Sequence, residues 1–229
     1  HARQFVDYHG WYDKTKIVLK AVQNSQYTAC MNPTAGSFNI TPRMLRHFVT
    51  FAVQMPSKEV IRSMFAQIIE GHLRNFDPGV AKYGPRIADT SIELHGLVAN
   101  TFLPSAVKFH YQWNLRELSN ITQGICRTAS EFYNNPANLC RLWVHEVERV
   151  FSDRMVNAND ITKFDEMRVT VTKKYFEDQD MEVIEARPIS FNAFMQFDSN
   201  DKGAYTPCNT YEKLNKTLVE KLAEHNESN

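Results

Sequence analysis

The spacing of apolar residues changes near Pro56, and the change divides the chain into two parts. Before Pro56, short apolar runs have the length and the β-branched and aromatic content of strands, at residues 16–20, 26–31 and 48–53. The run at 48–53 is apolar at most positions, which is typical of a strand buried on both faces of a parallel sheet. The first part of the chain is therefore predicted to contribute strands to a small parallel sheet.

After Pro56, apolar residues recur every three or four positions, which is the spacing of amphipathic helices. Helices are predicted to begin near Ser57, Pro85, Trp113, Asn135, Asn159 and Thr210. Ser57 and Asn135 are the predicted N-caps, and the helix from Trp113 is predicted to run to about Tyr133. Residues 186–205 are irregular, with a short strand predicted at 189–194. The fold class is an α/β chain that is mainly helical, with strands first and helices after them.

Composition and charge exclude several classes of partner. The chain has 229 residues with 26 basic and 26 acidic side chains, so it lacks the basic excess of a nucleic-acid-binding protein. No apolar stretch approaches the length of a membrane span. The four cysteines are scattered without the paired spacing of a zinc site, and free thiols are expected. We therefore predict no nucleic acid, no membrane and no metal ligand set.

Catalytic motifs of nucleotide enzymes are also missing from the sequence. It contains neither the G-x-x-x-x-G-K-[ST] phosphate loop nor a G-x-G-x-x-G loop. The pair His145-Glu146 begins a zinc-protease pattern, but Arg149 stands where the second histidine is needed.

Asn32 is the first candidate for nucleotide chemistry. It follows the apolar run that ends at Met31, and the carboxyl end of a parallel strand faces the ligand crevice. An amide at that position can orient a water molecule or contact a terminal phosphate. The alternative is a turn-forming asparagine before Pro33.

Three arginines are further candidates. Arg43 and Arg46 lie three positions apart, on one face of a short predicted helix, where an outward guanidinium can serve a neighbour's phosphates as an arginine finger. Arg116 lies in the first turn of a helix, where a cation is unfavourable unless an anion binds nearby. The alternatives are surface arginines at 43 and 46. For Arg116 they are pairing with Glu117 or Glu131, or a side chain that lies over the apolar stripe of its helix with its charge in water.

Five runs, in this order, resemble dynein heavy chains. They are Gly10–Asp13, ACMNPTAGSF (29–38), TPRMLRHF (41–48), FHYQWNLRELSNI (109–121) and RLWVHEVERVFSDRM (141–155). The resemblance is to the third AAA+ module of the motor ring, and more to axonemal than to cytoplasmic dyneins. It covers nearly the whole chain and weakens from about Asp178 onward.

The resemblance implies a role for each candidate residue. Asn32 matches the sensor 1 asparagine, and Arg116 matches the sensor 2 arginine. Arg46 matches the arginine finger, with Arg43 as its companion. Residues 1–56 then belong to the large α/β subdomain, 57–200 to the helical lid, and 201–229 to a linker helix toward the next module.

The resemblance also implies the activity of the parent protein. That protein is a microtubule motor, in which ATP or ADP with magnesium binds the module and hydrolysis drives minus-end-directed movement. Its partners are the neighbouring AAA+ modules and, through a distant stalk, microtubules, and its location is the axoneme of a cilium or flagellum. In the family, the phosphate loop and the Walker B acids precede the position of His1. The chain alone is therefore expected to be inactive and to bind no nucleotide tightly.

Two other functions remain open from the residues themselves. One is a part of a different AAA+ remodelling ATPase, and the other is a helical interaction module with no link to nucleotide. The sequence upstream of His1 would distinguish them, because only an ATPase needs a phosphate loop there.

Overall fold

The computed structural model describes residues 2–31, 40–197, 203–208 and 210–228. Asn32 lies outside these residues. The chain forms two compact units, His1–Met55 and Pro56–Asn229.

The first unit contains two short helices and a hairpin. Its elements are α1 (Ala2–Tyr8), β1 (Gly10–Tyr12), β2 (Leu19–Ala21) and α2 (Pro42–Leu45). The two strands are antiparallel, with Trp11 opposite Lys20, and β2 includes only the last two residues of the strand predicted at 16–20. The buried ring of Phe5 contacts the rings of Tyr27 at 4.9 Å and Trp11 at 6.1 Å between centroids. This aromatic cluster joins α1 to the hairpin.

The predicted parallel sheet is wrong for the part of the chain that the structure describes. The four strands there form two antiparallel hairpins, and neither residues 26–31 nor residues 48–53 form a strand. The apolar side chains most exposed in the second run are Val49, Phe51 and Val53, at 82%, 83% and 91%. A strand exists only where an adjacent strand pairs with its N–H and C=O groups, and no described strand pairs with either run. The apolar pattern of these runs predicts that they are buried, but it does not show which strand would pair with them.

The second unit is mainly helical, as the apolar spacing predicts. Its elements are α3 (Lys58–Leu73), α4 (Pro78–Ala81), α5 (Gly84–Thr101), α6 (Leu115–Ile125), α7 (Pro136–Val150), α8 (Ala158–Tyr175), α9 (Met181–Glu185), β3 (Phe191–Phe197), β4 (Gly203–Pro207) and α10 (Tyr211–Ser228). The two predicted N-caps are confirmed. Ser57 Oγ accepts from the backbone N–H of Val60, and Asn135 Oδ1 accepts from that of Ala137.

Two elements differ from their predicted bounds. Helix α6 ends at Ile125 and does not continue to Tyr133, because the backbone becomes extended at Ala129 before a short 3-10 turn at Ser130–Phe132. The strand predicted at 189–194 lies at Phe191–Phe197, and it pairs with β4, which was not predicted. Strand β4 is short and contains Gly203 and Pro207, so its sequence reads as a loop.

Helix α7 lies at the centre of the second unit. Its apolar residues Leu139, Leu142, Trp143 and Val147 are fully buried. Its polar residues His145, Glu146 and Glu148 are also buried, at 7%, 8% and 6% exposure. A buried polar group is costly unless it finds a partner, so the elements around α7 must supply polar groups.

Two arginines from elsewhere in the unit neutralise carboxylates in and beside α7. Arg187 binds Glu148 through both of its terminal nitrogens, at 2.7 and 3.0 Å. Arg168 is 2% exposed and binds Glu185 in the same way, at 2.6 and 3.0 Å. Bidentate pairing suits the planar guanidinium and fixes the relative position of α7, α8 and α9.

Glu146 is held by a tyrosine of β4. Tyr205 Oη donates to Glu146 Oε1 at 2.6 Å, and Tyr133 Oη donates to the carbonyl oxygen of Tyr205 at 2.6 Å. Burial raises the pKa of Glu146, although the Tyr205 hydrogen bond and the charges of Arg127 and Arg149 oppose that shift. The carboxyl group lies so close to α6 that a Cβ at position 124 would be 2.0 Å from Glu146 Oε2, and the glutamate would have to shift to admit it.

His145 lies between the rings of Phe191 and Tyr205, at 5.4 and 6.3 Å between centroids. Burial lowers its pKa to about 4, and the positive charge of Arg149 contributes to the shift. Its Nδ1 has no hydrogen-bond partner among the described residues. The side chain is therefore neutral in the folded protein over most of the acidic range.

The close approach of α6 to Glu146 predicts the effect of Gly124→Ala. The extra methyl should cost about 1–3 kcal/mol of unfolding free energy, because the hydrogen-bonded carboxyl group cannot move aside freely. In a Glu146→Ala background the same change should cost much less, and chemical denaturation of the four proteins measures this coupling. Gly71→Ala in α3 is the control, since a Cβ there has no neighbour within 4 Å and should stabilise the helix. An equal cost of Gly124→Ala in both backgrounds would contradict the packing argument.

The burial of His145 predicts a pH dependence of stability. Its folded pKa of about 4 lies below the ordinary 6.5, so between these values only the unfolded chain takes up the proton. The contribution of the neutral His145 to the free energy of unfolding is complete above about pH 6.5. It is lost as the pH falls toward 4, by up to roughly 3 kcal/mol. His145→Gln should flatten the dependence measured by denaturation at a series of pH values. Glu146→Gln is the control, and it should make the pH dependence steeper. The raised pKa of Glu146 means that this carboxyl group destabilises the fold as the pH rises, which is opposite to the effect of His145. Identical slopes for the original protein and His145→Gln would show that this histidine does not titrate differently on unfolding.

Candidate functional site

Three of the four sequence-predicted site residues can be located. Arg43 and Arg46 belong to the first unit, and Arg116 belongs to the second. Asn32, the predicted sensor 1 residue, is outside the described ranges, so its role stays a prediction.

The helix that carries Arg43 and Arg46 is a single turn. Thr41 is its N-cap with an extended backbone, and Pro42 occupies the first helical position, where its fixed φ and missing N–H suit a helix start. Arg43 lies inside the turn, and Arg46 is the C-cap, with its N–H donating to the carbonyl oxygen of Pro42 at 3.1 Å. Both arginine side chains are exposed.

Arg46 shares the carboxylate of Asp7 with His47. Arg46 Nη2 lies 3.2 Å from Asp7 Oδ1, and His47 Nε2 lies 2.9 Å from the same oxygen. Arg46 Nε also lies 3.1 Å from His47 Nε2. One ring nitrogen cannot accept from Arg46 and donate to Asp7 at once, so the tautomer of His47 selects between these two bonds.

The charges around Asp7 determine how firmly Arg46 is held. Desolvation alone would raise the pKa of Asp7, but the hydrogen bond from Arg46 and the charges of His47, Arg46 and Arg43 together lower it. The carboxylate is therefore ionised near neutral pH. The Arg46 side chain is 58% exposed and that of Asp7 is 16% exposed, and an ion pair that solvent reaches from one side is weakened because water and salt screen it. Arg46 can consequently exchange Asp7 for a stronger anionic partner.

Arg116 lies at the start of α6, which has a complete capping box. Asn114 Oδ1 accepts from the N–H of Arg116 at 2.8 Å, and the N–H of Asn114 donates to Glu117 Oε2 at 2.7 Å. The Arg116 side chain is exposed. Glu117, which could have neutralised it, is instead bound by Arg154 at 2.7 Å. The capping box already takes the N–H groups of the first turn, so it is the exposed guanidinium, together with the helix dipole, that favours an anion at this point.

Arg154 is the residue of this region that sequence reasoning missed. It lies 37 residues after Glu117 and ends the short 3-10 turn Ser152–Arg154. It belongs to the run 141–155 that resembles the dynein family, and this is the signal that could have drawn attention to it. Periodicity gives no such signal, because the residue lies in a single 3-10 turn between α7 and α8.

A groove in the second unit does not include Arg116. Its volume is about 400 Å³, and it is lined by Lys58, Glu59, Arg62, Asp89, Ile92, Glu93, Gly96, Leu97, Asn100 and Tyr175. Its lining has three acidic and two basic side chains, and Arg62 Nη2 binds Asp89 Oδ2 at 3.0 Å. A groove with more acidic than basic side chains does not favour a phosphate, so the candidate anion site is the start of α6.

Clusters of metal ligands and membrane-spanning helices are not found in the part of the chain that the structure describes. No three His, Cys, Asp or Glu side chains there lie close enough together to hold a metal ion. Within the same residues, no helix has both the length and the apolar character needed to cross a membrane.

Two family models match the chain. The model of the P-loop containing dynein motor region matches residues 1–56, and that of the AAA+ lid domain matches residues 87–186. The first match contains Arg43 and Arg46, and the second contains Arg116 and Arg154.

The chain is also similar to known dynein heavy chains over 99% of its length. It is 59% identical to the dynein beta chain of the flagellar outer arm of Chlamydomonas reinhardtii. It is 41% identical to the ciliary dynein beta chain of Heliocidaris crassispina and to dynein axonemal heavy chain 17 of Homo sapiens. The chain spans 5% of the length of each of these relatives. It belongs to the dynein heavy chain family and, within that family, to the axonemal type.

Proposed function

We propose that this chain supplies sensor and arginine-finger residues to the ATP sites of a dynein motor ring. In this proposal it corresponds to the second half of the third AAA+ module. Residues 1–56 complete the large subdomain with Asn32 as sensor 1, residues 57–200 form the lid, and residues 201–229 lead to the next module. The observation that carries the proposal is the exposed Arg116 at the capped start of α6.

The surroundings of Arg116 support a role in binding a phosphate of its own module. The positive end of the helix dipole and the exposed guanidinium both interact favourably with an anion, although Asn114 already accepts the N–H of Arg116. The acid next to it in sequence, Glu117, is neutralised by Arg154 and does not compete for Arg116. The side chain is therefore available to a nucleotide that lies against the lid.

The surroundings of Arg46 support a role at another module's phosphates. Its present partner, Asp7, is shared with His47, and the pair is exposed enough to exchange. A finger must leave a resting partner when a phosphate arrives, and it can stabilise the charge of the transition state by a large factor in rate. Arg43, one helical turn away, adds positive charge to the same surface.

The parent motor would couple these sites to movement. We propose that ATP or ADP with magnesium binds the intact module, and that hydrolysis in the ring drives minus-end-directed motion on microtubules. The neighbouring AAA+ modules of the same heavy chain are the direct partners. The names of the relatives, which specify a flagellar outer arm, cilia and axonemes, support a location in the axoneme of a cilium or flagellum.

The two arginines predict different defects in a motor that carries this segment. Arg116→Ala should weaken ATP binding at this module, and Arg46→Ala should impair the response to ATP of the preceding one. Each change removes a charge-assisted bond of about 1.5–3 kcal/mol, which corresponds to roughly 10-fold to 150-fold in affinity or rate. Nucleotide binding and turnover are measured site by site, in motors where the phosphate-loop lysines of all modules but one are replaced.

Two exposed arginines provide matched controls. Arg3 lies in the first unit and Arg74 in the second, and alanine at either position should leave both nucleotide sites unchanged. If Arg46→Ala and Arg116→Ala weaken the same site equally, the assignment of the finger is wrong. If Arg116→Ala leaves nucleotide affinity unchanged in a folded motor, the lid arginine has no sensor role.

A further inference from the structure

We propose that Arg154 is the positioning residue for Arg116, holding the start of α6 in the orientation that presents the Arg116 side chain to a nucleotide. This inference rests on the proposed role of Arg116 in nucleotide binding. Arg154 itself is assigned no contact with the nucleotide. Its contacts divide into three sets, and each set fixes a different part of the segment that leads into α6.

The first set joins Arg154 to the capping box. Glu117 is 5% exposed, and its two carboxylate oxygens have separate partners. Oε2 accepts the N–H of Asn114 at 2.7 Å, and Oε1 accepts from Arg154 Nη1 at 2.7 Å. A buried carboxylate needs a cation or several donors. The acid that closes the cap at the first turn therefore depends on Arg154 for neutralisation.

The second set fixes the backbone before the helix. Arg154 Nη2 donates to the carbonyl oxygen of His110 at 2.9 Å and lies 3.4 Å from that of Gln112. The guanidinium also lies over the ring of Trp113, with its carbon 4.8 Å from the ring centroid. One planar group thus contacts four residues between His110 and Glu117. A lysine has a single ammonium group and cannot make all of these contacts.

The third set anchors Arg154 to the rest of the unit. Its N–H donates to the carbonyl oxygen of Phe151 at 3.2 Å, directly after the end of α7. His110 Nε2 lies 3.0 Å from the carbonyl oxygen of Arg154, so the two segments hold each other in both directions. Trp113 Nε1 donates to the carbonyl oxygen of Phe102 at 2.8 Å, which ties the same segment to the end of α5. Arg154 and the bond from Trp113 to Phe102 therefore hold the start of α6 against the core.

A direct role in ligand binding fits Arg154 less well than it fits Arg116. The terminal nitrogens of Arg154 already bind Glu117 and His110, and one face of the guanidinium is covered by Trp113. The Arg116 side chain is exposed, so the point from which it projects is set by the backbone at the start of α6. Loss of Arg154 should misplace Arg116 without removing it.

The test measures the affinity of magnesium-ATP for this module in the heavy-chain motor, with the phosphate-loop lysines of the other modules replaced. The variants are Arg154→Ala, Arg154→Lys, Arg116→Ala and the double variant Arg154→Ala/Arg116→Ala. Arg187→Ala is the matched control, because it also removes a guanidinium from a buried carboxylate, Glu148, at a different place in the same unit. Thermal unfolding and amide hydrogen exchange of residues 114–117 are recorded for each.

Arg154→Ala should lower the affinity about 10-fold and speed exchange at 114–117, and Arg154→Lys should recover part of both. Arg187→Ala should reduce thermal stability but leave affinity and this exchange unchanged. The double variant should bind no more weakly than Arg116→Ala, because Arg154 acts through Arg116. Arg154→Lys keeps a cation beside Glu117 and serves as the variant that folds if Arg154→Ala does not.

Each opposing result has a separate meaning. Equal affinities of Arg154→Ala and Arg187→Ala for magnesium-ATP would show that Arg154 has only a structural role, and this would overturn the proposal. Additive losses in the double variant would assign Arg154 its own contact with the nucleotide, which also overturns it. Unchanged affinity in Arg116→Ala would instead refute the proposed sensor function, whatever Arg154→Ala does to the exchange at 114–117.

Discussion

The second unit depends on the burial of α7 on nearly every face. A helix so enclosed can keep polar residues only where other elements supply partners, and α7 keeps three: His145, Glu146 and Glu148. Tyr205 of β4 binds Glu146, and Arg187 binds Glu148. The need to satisfy these groups therefore brings the β3–β4 hairpin and the segment after α9 against the helix. His145 has no hydrogen-bond partner for Nδ1 among the described residues, and it is buried as the neutral imidazole because burial lowers its pKa.

The contacts made directly after α7 connect this buried helix to the candidate anion site at the start of α6. Directly after α7 the chain forms one 3-10 turn, which ends at Arg154. The side chain of Arg154 binds Glu117 and the carbonyl oxygens that precede α6. The start of α6 is thereby fixed relative to the buried helix α7. A site built on a helix end that is anchored to the core is more precise than one on a free loop, because backbone position and side-chain direction are set together. This explains how an exposed side chain such as Arg116 can still project from a defined point.

The two arginines with proposed roles are held in different ways. Arg116 projects from a capped helix, and its neighbouring acid is neutralised by another residue. Arg46 ends a one-turn helix and rests on Asp7, which His47 also binds. A fixed backbone suits a residue that serves one site throughout a cycle. An exposed and shared ion pair suits a residue that must change partners, since little energy is lost when the pair opens.

The sequence by itself determined the features that depend on neighbours a few residues away. Ser57 and Asn135 cap their helices because each side chain bonds to an N–H two or three residues later, and such a bond is visible in local sequence. The helical character after Pro56 followed from the same short-range spacing. The resemblance to dynein singled out Arg46 and Arg116, but not what surrounds them. Only the tertiary structure decided the rest, because it depends on distant partners: Arg154 meets a glutamate 37 residues away, β3 needs β4, and the run at 48–53 has no described strand beside it.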